Sequence, residues 1–557
     1  MCGITCTLTS EKTIIKNENL LVNIRNRGPD YFNELTLPIT PTQNAYFAAS
    51  VLHTQGAELA EQPIILSNGD ILLWNGDVFG GEVLTEVSPD NLSDSQILAN
   101  WLENNDGNIV ELIGKVEGPY SLIYLNRKQK YLWFCRDPLG RHSLLWKATD
   151  DGIFLSSVGH KSIPDLEEVP AVGLFCVHID SSPTRIHLHQ WAHWNDHFPL
   201  DELPSSVFIS DSKIDCFNNL RMSSEKLLSD EVFFENTDFT SVTELMEKLI
   251  RDPNVECAVD ELLNLLMESC RKRIKYRRNF CINCSDSGSC EPEHVKLGIL
   301  FSGGLDSTII ACIADKFVPK TDAIDLLNVA FERNKNFDVP DRKTGRMSLM
   351  ELQTVCPDRV WNFVEINVPQ EELADVRKNR ITHLIYPLNT VIDESLGCAL
   401  WFACRGKGFI DNEPYTSSAK VVLLGSGADE QFGGYVRHKN LLRRYNWSEL
   451  QKQLLKETLF ISKRNLGRDD RIACDSGRQP RFPFLDESIV EYVAGLPPWK
   501  KCDPVSFPPG VGDKLILRLV ALKLGLIQCS TFPKRAFQFG CRIANSKEKG
   551  DDCSGRL

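Results

Sequence analysis

The spacing of apolar and polar positions changes partway along the chain. Up to about residue 195, short runs of strand-forming residues alternate with turn signals. Asp70–Trp74 runs into Asn75-Gly76, and Tyr120–Leu125 is followed by a polar turn and then Tyr131–Cys135. This spacing predicts antiparallel sheets. Residues 196–255 are polar and poorly periodic, and read as a linker or variable segment. Beyond them, Val259, Leu262, Leu263, Leu266, Met267 and Cys270 fall at i, i+3, i+4, i+7, i+8 and i+11. That is one face of an amphipathic helix. Apolar runs then alternate with helical segments, as in Val295–Phe301, Asp306–Phe317 and Val421–Leu424. The alternation predicts βαβ units around a parallel sheet. Residues 546–557 form a polar tail expected to fray.

Composition narrows the class without naming it. The chain has 557 residues, 42% of them hydrophobic and 25% charged. Those fractions are ordinary for globular protein. A net charge of −13 disfavours nonspecific binding to nucleic acid or anionic membranes. No apolar run reaches the length of about 18 residues that a membrane span needs. The opening MCGITCTLTS lacks the basic and apolar regions of a signal peptide. The 19 cysteines are scattered rather than set in a disulfide framework. Reduced thiols and a cytoplasmic location are the expectation.

The first candidate chemistry lies at the start of the chain. If Met1 is removed, Cys2 carries a thiol and a free α-amino group on one residue. The amine can then act as general base for its own thiol, with no histidine needed. Four further segments follow in order: Arg27-Gly28-Pro29-Asp30, Asn75-Gly76-Asp77, Ser93-Asp94 and Arg136-Asp137-Pro138-Leu139-Gly140. The ordered set resembles the class II glutamine amidotransferases, whose domain is an α+β N-terminal-nucleophile αββα sandwich. The resemblance covers residues 2–195. It implies that Cys2 attacks the glutamine side-chain amide and that Asn75 and the Gly76 N–H form the oxyanion hole. It also implies that Asp94 holds the substrate's α-amino group, with Asp77 beside it. On its own, Asn75-Gly76 would read as a hairpin turn. One position departs from the family: Gln55 in His53-Thr54-Gln55 stands where an arginine pairs with the substrate carboxylate. Losing a charged bidentate contact, worth on the order of 1.5–3 kcal/mol, predicts weak glutamine affinity.

The second lies between a predicted strand and a predicted helix, at Ser302-Gly303-Gly304-Leu305-Asp306-Ser307. The glycines permit close backbone approach, and the helix start offers an anion nest. The Walker pattern is absent. The segment resembles the SGGxDS loop of the N-type ATP pyrophosphatases, an α/β parallel-sheet fold. Downstream, Gly425-Ser426-Gly427-Ala428-Asp429-Glu430-Gln431-Phe432-Gly433-Gly434-Tyr435, Arg481-Phe482-Pro483-Phe484-Leu485-Asp486, Lys514 to Arg518, and Lys534 with Gln538-Phe539-Gly540 resemble the matching stretches of asparagine synthetases. That resemblance spans 256–545.

It implies that Ser302, Gly303, Gly304, Asp306 and Ser307 hold ATP phosphates, with Asp306 helping Mg²⁺. Phe301 and Ala330 would meet the adenosine, with Leu424 and Gly425 alongside. Asp429 and Ser426 would mark the aspartate and acyl-adenylate site, and Lys514 would neutralise the leaving pyrophosphate. Ser426 stands where the family has a glutamate, and serine cannot replace it as a base near pH 7. Leu424 replaces a serine that contacts ATP.

The implied partners are glutamine, aspartate and MgATP, with no tightly bound organic cofactor, nucleic acid or membrane. The implied activity is asparagine synthesis driven by ATP and glutamine. Two alternatives stay open: an ATP-binding or scaffold protein that has lost catalysis, and an amide-forming enzyme with another carboxylate.

Two weaker signals remain. Cys281, Cys284, Cys290 and His294 give C-x2-C-x5-C-x3-H, which either binds zinc tetrahedrally or is a thiol-bearing linker. Arg271–Arg278 holds six basic residues in eight and reads as a solvated helix end more readily than as a nucleic-acid patch.

Overall fold

A computed structural model describes residues 2–10, 16–86, 91–194, 203–204, 206–216, 241–278, 280–284, 290–291, 293–333, 336–544 and 549–557. Three sheets organise these residues. The first holds six strands in the order Glu167–Glu168, Leu145–Thr149, Gly152–Ser156, Cys2–Thr9, Asn44–Val51, Tyr31–Pro38. The second holds seven, in the order Val207–Ile214, Ile186–Trp191, Gly173–His178, Tyr131–Arg136, Tyr120–Asn126, Ile71–Gly76, Ile64–Ile65. Both are antiparallel apart from the parallel pairing of Val207–Ile214 with Ile186–Trp191. They share one apolar core, to which Ile4, Cys6 and Phe47 contribute from the first sheet and Leu72, Ile123 and Phe134 from the second.

The third sheet is mostly parallel. Its order is Glu413–Thr416, Lys407–Ile410, Trp361–Val368, Ile324–Phe331, Leu297–Leu300, Val421–Leu423, Gln479–Arg481. Every position of Ile324–Phe331 is buried, as expected for a strand covered on both faces. The chain runs outward from Leu297–Leu300 through four later strands on one side. It then returns to place Val421–Leu423 on the other side. The strand order therefore reverses between these two neighbours. Beyond the carboxyl ends of strands at such a reversal lies the crevice in which open α/β sheets bind ligands.

Several expectations change here. The segment 196–255 is not wholly a connector. Among its described residues, Val207–Ile214 adds an edge strand and Val242–Ile250 forms a helix. Of the strand's eight residues only Ile214 is buried, so it carries no apolar alternation for a sequence reading to find. Residues 549–557 of the tail are docked, not frayed. Asp552 and Gly550 carbonyls accept from the N–H groups of Val391 and Ile392, which open the helix Val391–Arg405 and lack partners within it. Asn75-Gly76 is no hairpin turn; it ends the strand Ile71–Gly76.

Candidate functional site

The strand Cys2–Thr9 puts the Cys2 thiol at the edge of the amino-terminal core, where it is 6% exposed. The Cys2 N–H donates to Asn75 Oδ1 at 2.9 Å. Asn75 in turn donates through Nδ2 to Ser121 Oγ at 3.2 Å. A side-chain amide carries two Nδ2 hydrogens, so one remains for a substrate oxygen. Gly76 follows where a Cβ would come within 2.5 Å of the Pro119 carbonyl oxygen, and only glycine fits. Burial raises the Cys2 thiol pKa, against the lowering pull of the chain's amino terminus and Arg27.

Gln62 was not anticipated. Its Nε2 lies 3.3 Å from Cys2 Sγ and donates to the Trp74 carbonyl at 3.0 Å, while its Oε1 accepts from the Trp74 N–H at 2.7 Å. The side chain is thus fixed at both ends beside the Cys2 thiol. It sits in a polar stretch without periodicity, and no spacing signal marks it.

Around the thiol lie the residues expected to bind glutamine. The Gln55 amide donates to Asp77 Oδ1 at 2.5 Å. Asp77 also accepts from Gln479 Nε2 at 2.6 Å and meets Arg481 Nη2 at 2.9 Å. Burial alone would raise the Asp77 pKa, but the Arg481 charge and the amino terminus hold it below the usual carboxylate range. Asp94 begins the helix Asp94–Asn104 behind a Ser93–Gln96 capping box. Burial and the Asp77 charge push its pKa well up. Opposed shifts in neighbouring carboxylates are typical of functional sites. Arg481 and Gln479 come from the carboxy-terminal half, so the pocket is built by both halves.

The second group of residues meets at the strand reversal. Leu297–Leu300 leads into Phe301-Ser302-Gly303-Gly304 and the helix Leu305–Ala314; Val421–Leu423 leads into Leu424-Gly425-Ser426-Gly427 and the helix Ala428–Phe432. Gly303 has φ +74°, and a Cβ there would lie 2.4 Å from Gly345 backbone. Gly304 caps the first helix with no side-chain hydrogen bond over its opening turn. Ser302 Oγ accepts from the Gly304 N–H at 3.2 Å, and Ser307 Oγ donates to the Gly304 carbonyl at 3.2 Å. Phe301 and Ala330 are buried in the sheet. Leu424 is buried too, and its N–H donates to the Arg481 carbonyl at 2.9 Å. Ser426 is half-buried.

Charge gathers beside the two loops. Lys514 Nζ donates to Asp306 Oδ1 and Oδ2 at 2.9 and 2.7 Å, and lies 2.9 Å from Asp429 Oδ1. Lys534 lies 3.3 Å from Asp429 Oδ2. Burial opposes ionisation of Asp429, but the two lysines bring its pKa down to about 2. Asp306 is pushed up by burial despite Lys514. Lys514 itself adopts φ 54°, ψ 39°, a left-handed conformation that is strained for a side chain with a Cβ and recurs at functional sites. The uncapped helix start and glycine backbone fit a polyphosphate. The carboxylate oxygens of Asp306 and Asp429 fit Mg²⁺, which takes oxygen ligands.

Among the described residues, no helix is long and apolar enough to cross a membrane. The glutamine amidotransferase domain family matches residues 1–173, and the asparagine synthase family matches 292–466 and 442–538. Asparagine synthetase domain-containing protein 1 of Mus musculus is 38% identical over 100% of this chain and 99% of that protein. The Homo sapiens protein of the same name is 36% identical over 100% of this chain and 98% of its own length. An asparagine synthetase domain-containing protein of Drosophila melanogaster is 36% identical over 100% of both chains.

Proposed function

As the chain belongs to the asparagine synthetase domain-containing proteins, we propose that it is a glutamine-dependent, ATP-driven amidotransferase that makes asparagine from aspartate. The observation that carries this is the pair of glycine loops at the strand reversal, closed by Lys514 between Asp306 and Asp429.

In the amino-terminal half, read as an N-terminal-nucleophile sandwich over residues 2–195, the Cys2 sulfur attacks the glutamine amide carbon. Loss of Met1 turns the N–H held by Asn75 into an α-amine that can take the thiol proton. The free Nδ2 hydrogen of Asn75 and the Gly76 N–H stabilise the oxyanion. Ammonia leaves and water releases glutamate. Asp94 holds the α-ammonium of glutamine. Gln55 and Asp77 border the pocket, and the missing arginine weakens binding.

In the carboxy-terminal half, over 256–545, Ser302, Gly303, Gly304, Ser307 and Gly425 cradle the phosphates. Phe301, Ala330 and Leu424 border the adenosine. The aspartate side-chain carboxylate, placed by Ser426 and Asp429, attacks the α-phosphorus and expels pyrophosphate. Lys514 balances the charge on the leaving group. Asp306 would hold the Mg²⁺ that accompanies ATP and supplies further charge neutralisation. Ammonia passing inside the protein then attacks the acyl carbon and displaces AMP.

A second reading, an ATP-binding protein without synthesis, draws on Ser426 and on Gln55 being bound to Asp77. One assay separates them: AMP, pyrophosphate and asparagine formation by pure protein with MgATP, aspartate and ammonium chloride. Asparagine stoichiometric with AMP supports the enzyme. ATP binding with no AMP would leave the second reading standing.

A further inference from the structure

One side-chain cluster has no part in this chemistry. Cys281, Cys284, Cys290 and His294 bring one ligand atom each to within 4.8 Å of one another. His294 Nδ1 lies 3.4 Å from Cys281 Sγ and 3.2 Å from Cys284 Sγ. Zinc bonds of about 2.3 Å to sulfur and 2.0–2.1 Å to nitrogen define a tetrahedron with edges of roughly 3.5–3.8 Å. The two His294 contacts are slightly shorter than those edges and no separation exceeds 4.8 Å, so small side-chain shifts bring the four atoms to that size. Cys281 precedes and Cys284 ends the single turn Ile282–Cys284, and they are 0% and 5% exposed. No disulfide joins any of the nineteen cysteines, all of which lie among the described residues.

The location says what such an ion would do. Ile282 N–H donates to the Ser418 carbonyl at 2.9 Å, and Ser418 Oγ donates to the Val295 carbonyl at 2.9 Å. Residues 295 and 418 lead into the paired parallel strands Leu297–Leu300 and Val421–Leu423. The cluster therefore lies at their amino ends, opposite the glycine loops. On its other side, Arg278 Nη1 reaches His53 Nδ1 at 2.7 Å, and the Arg278 N–H donates to the Thr54 carbonyl at 2.5 Å. Thr54 adjoins Gln55 of the glutamine pocket. Among the described residues the segment carrying the cluster holds one short turn, Ile282–Cys284, the kind of irregular stretch whose folding a bound ion can support.

We propose that Cys281, Cys284, Cys290 and His294 bind one structural zinc ion in a closed Cys3His site that pins the seam between the two halves. Three thiols lose their protons to solvent, neutral His294 binds through Nδ1, and Zn²⁺ takes all four ligands with no position left for substrate. No redox change is involved.

The test uses full-length protein purified under reducing conditions without chelator. Elemental analysis should give one zinc per chain. Growth with cobalt in place of zinc should give the visible bands of a tetrahedral ion with thiolate-to-cobalt charge transfer. Cys290→Ser, at the most exposed of the three thiols, should reduce bound zinc while retaining the native far-ultraviolet circular dichroism. Stripping the ion should lower the thermal midpoint of the wild type but not of Cys290→Ser. Protein free of zinc and silent with cobalt overturns the proposal, as does a Cys281–Cys284 disulfide or an iron chromophore in zinc-free protein. The wild-type measurements decide even if the variant does not fold.

Discussion

The Arg481 guanidinium lies 2.9 Å from the Asp77 carboxylate, and neither side chain is exposed. The Arg481 carbonyl meanwhile accepts from Leu424, which enters the second glycine loop. One residue thus touches the Asp77 pocket beside Cys2 with its side chain and the second glycine loop at the strand reversal with its backbone. Removing one partner of a buried pair costs about 3–5 kcal/mol, because the other charge is left uncompensated. Arg481→Met should lower stability by that much. Asp77→Asn added to it should cost less than the sum of the singles, with a coupling of about 1–3 kcal/mol in urea unfolding. Strict additivity would remove the claim that the two halves are coupled here. The pH sign follows from the depressed Asp77 pKa. Its contribution is present above about pH 4, the unfolded value, and is lost as pH falls through the folded one.

Cys2 should separate the two half-reactions. Cys2→Ala removes the sulfur proposed to attack glutamine, and it lies in the strand Cys2–Thr9, not in the loops at the strand reversal. Glutamine-dependent asparagine formation should disappear, while the ammonium-dependent rate stays at the wild-type level. Equal loss with both nitrogen donors would mean that Cys2 is structural.

The local fold of the candidate-site segments was legible because each couples a conformation to a residue type. Ser302–Ser307 reads as strand, glycine turn and helix start, and it folds that way. Tyr120–Leu125 and Tyr131–Cys135 pair as a hairpin because their spacing leaves no other partner so near. What stayed hidden depends on contacts across the chain. Gln62 acquires its place only when Trp74 is brought beside it. Arg481 is part of a recognisable carboxy-terminal motif, but nothing in that motif says that its side chain reaches Asp77, 404 residues away in sequence. Lys514 looks like an ordinary helix lysine until its left-handed backbone aims it between two aspartates.

Gln62 should matter through the thiol. Its amide donor at 3.3 Å from Sγ favours the thiolate, and its bonds to Trp74 fix that donor in place. Gln62→Leu keeps the volume but removes the donor. It should shift the pH profile of Cys2 alkylation upward and lower kcat of the glutaminase reaction about tenfold, at nearly unchanged KM. Gln62→Glu should shift the alkylation profile further up, since a carboxylate opposes the thiolate. An unmoved alkylation profile in Gln62→Leu would reduce the residue to packing.

Lys514 should act on the leaving group. Its ammonium sits between Asp306 and Asp429 and balances negative charge where pyrophosphate would depart. Lys514→Gln should reduce AMP formation by about 100-fold or more, mainly in kcat. A variant that instead weakens ATP binding at full kcat would place the lysine in ground-state binding alone.

Glu430 should give stability an unusual pH slope. It is buried beside Asp429, which together with burial raises its pKa from 4.5 to about 7. Tyr435 hydroxyl donates to its Oε1 at 2.6 Å, and Asn465 Nδ2 does so at 3.2 Å. For a raised carboxyl the folded chain keeps a proton that the unfolded chain releases. Stability therefore falls as pH rises through the window between the unfolded value of 4.5 and the folded value of about 7, and levels off above it. The full shift corresponds to roughly 3 kcal/mol. Glu430→Gln keeps the accepting oxygen and cannot titrate. Urea midpoints measured from pH 4.5 to 8 should decline more steeply in the wild type than in this variant, with parallel curves above pH 7. Curves parallel throughout would show that Glu430 ionises in the fold as it does in water.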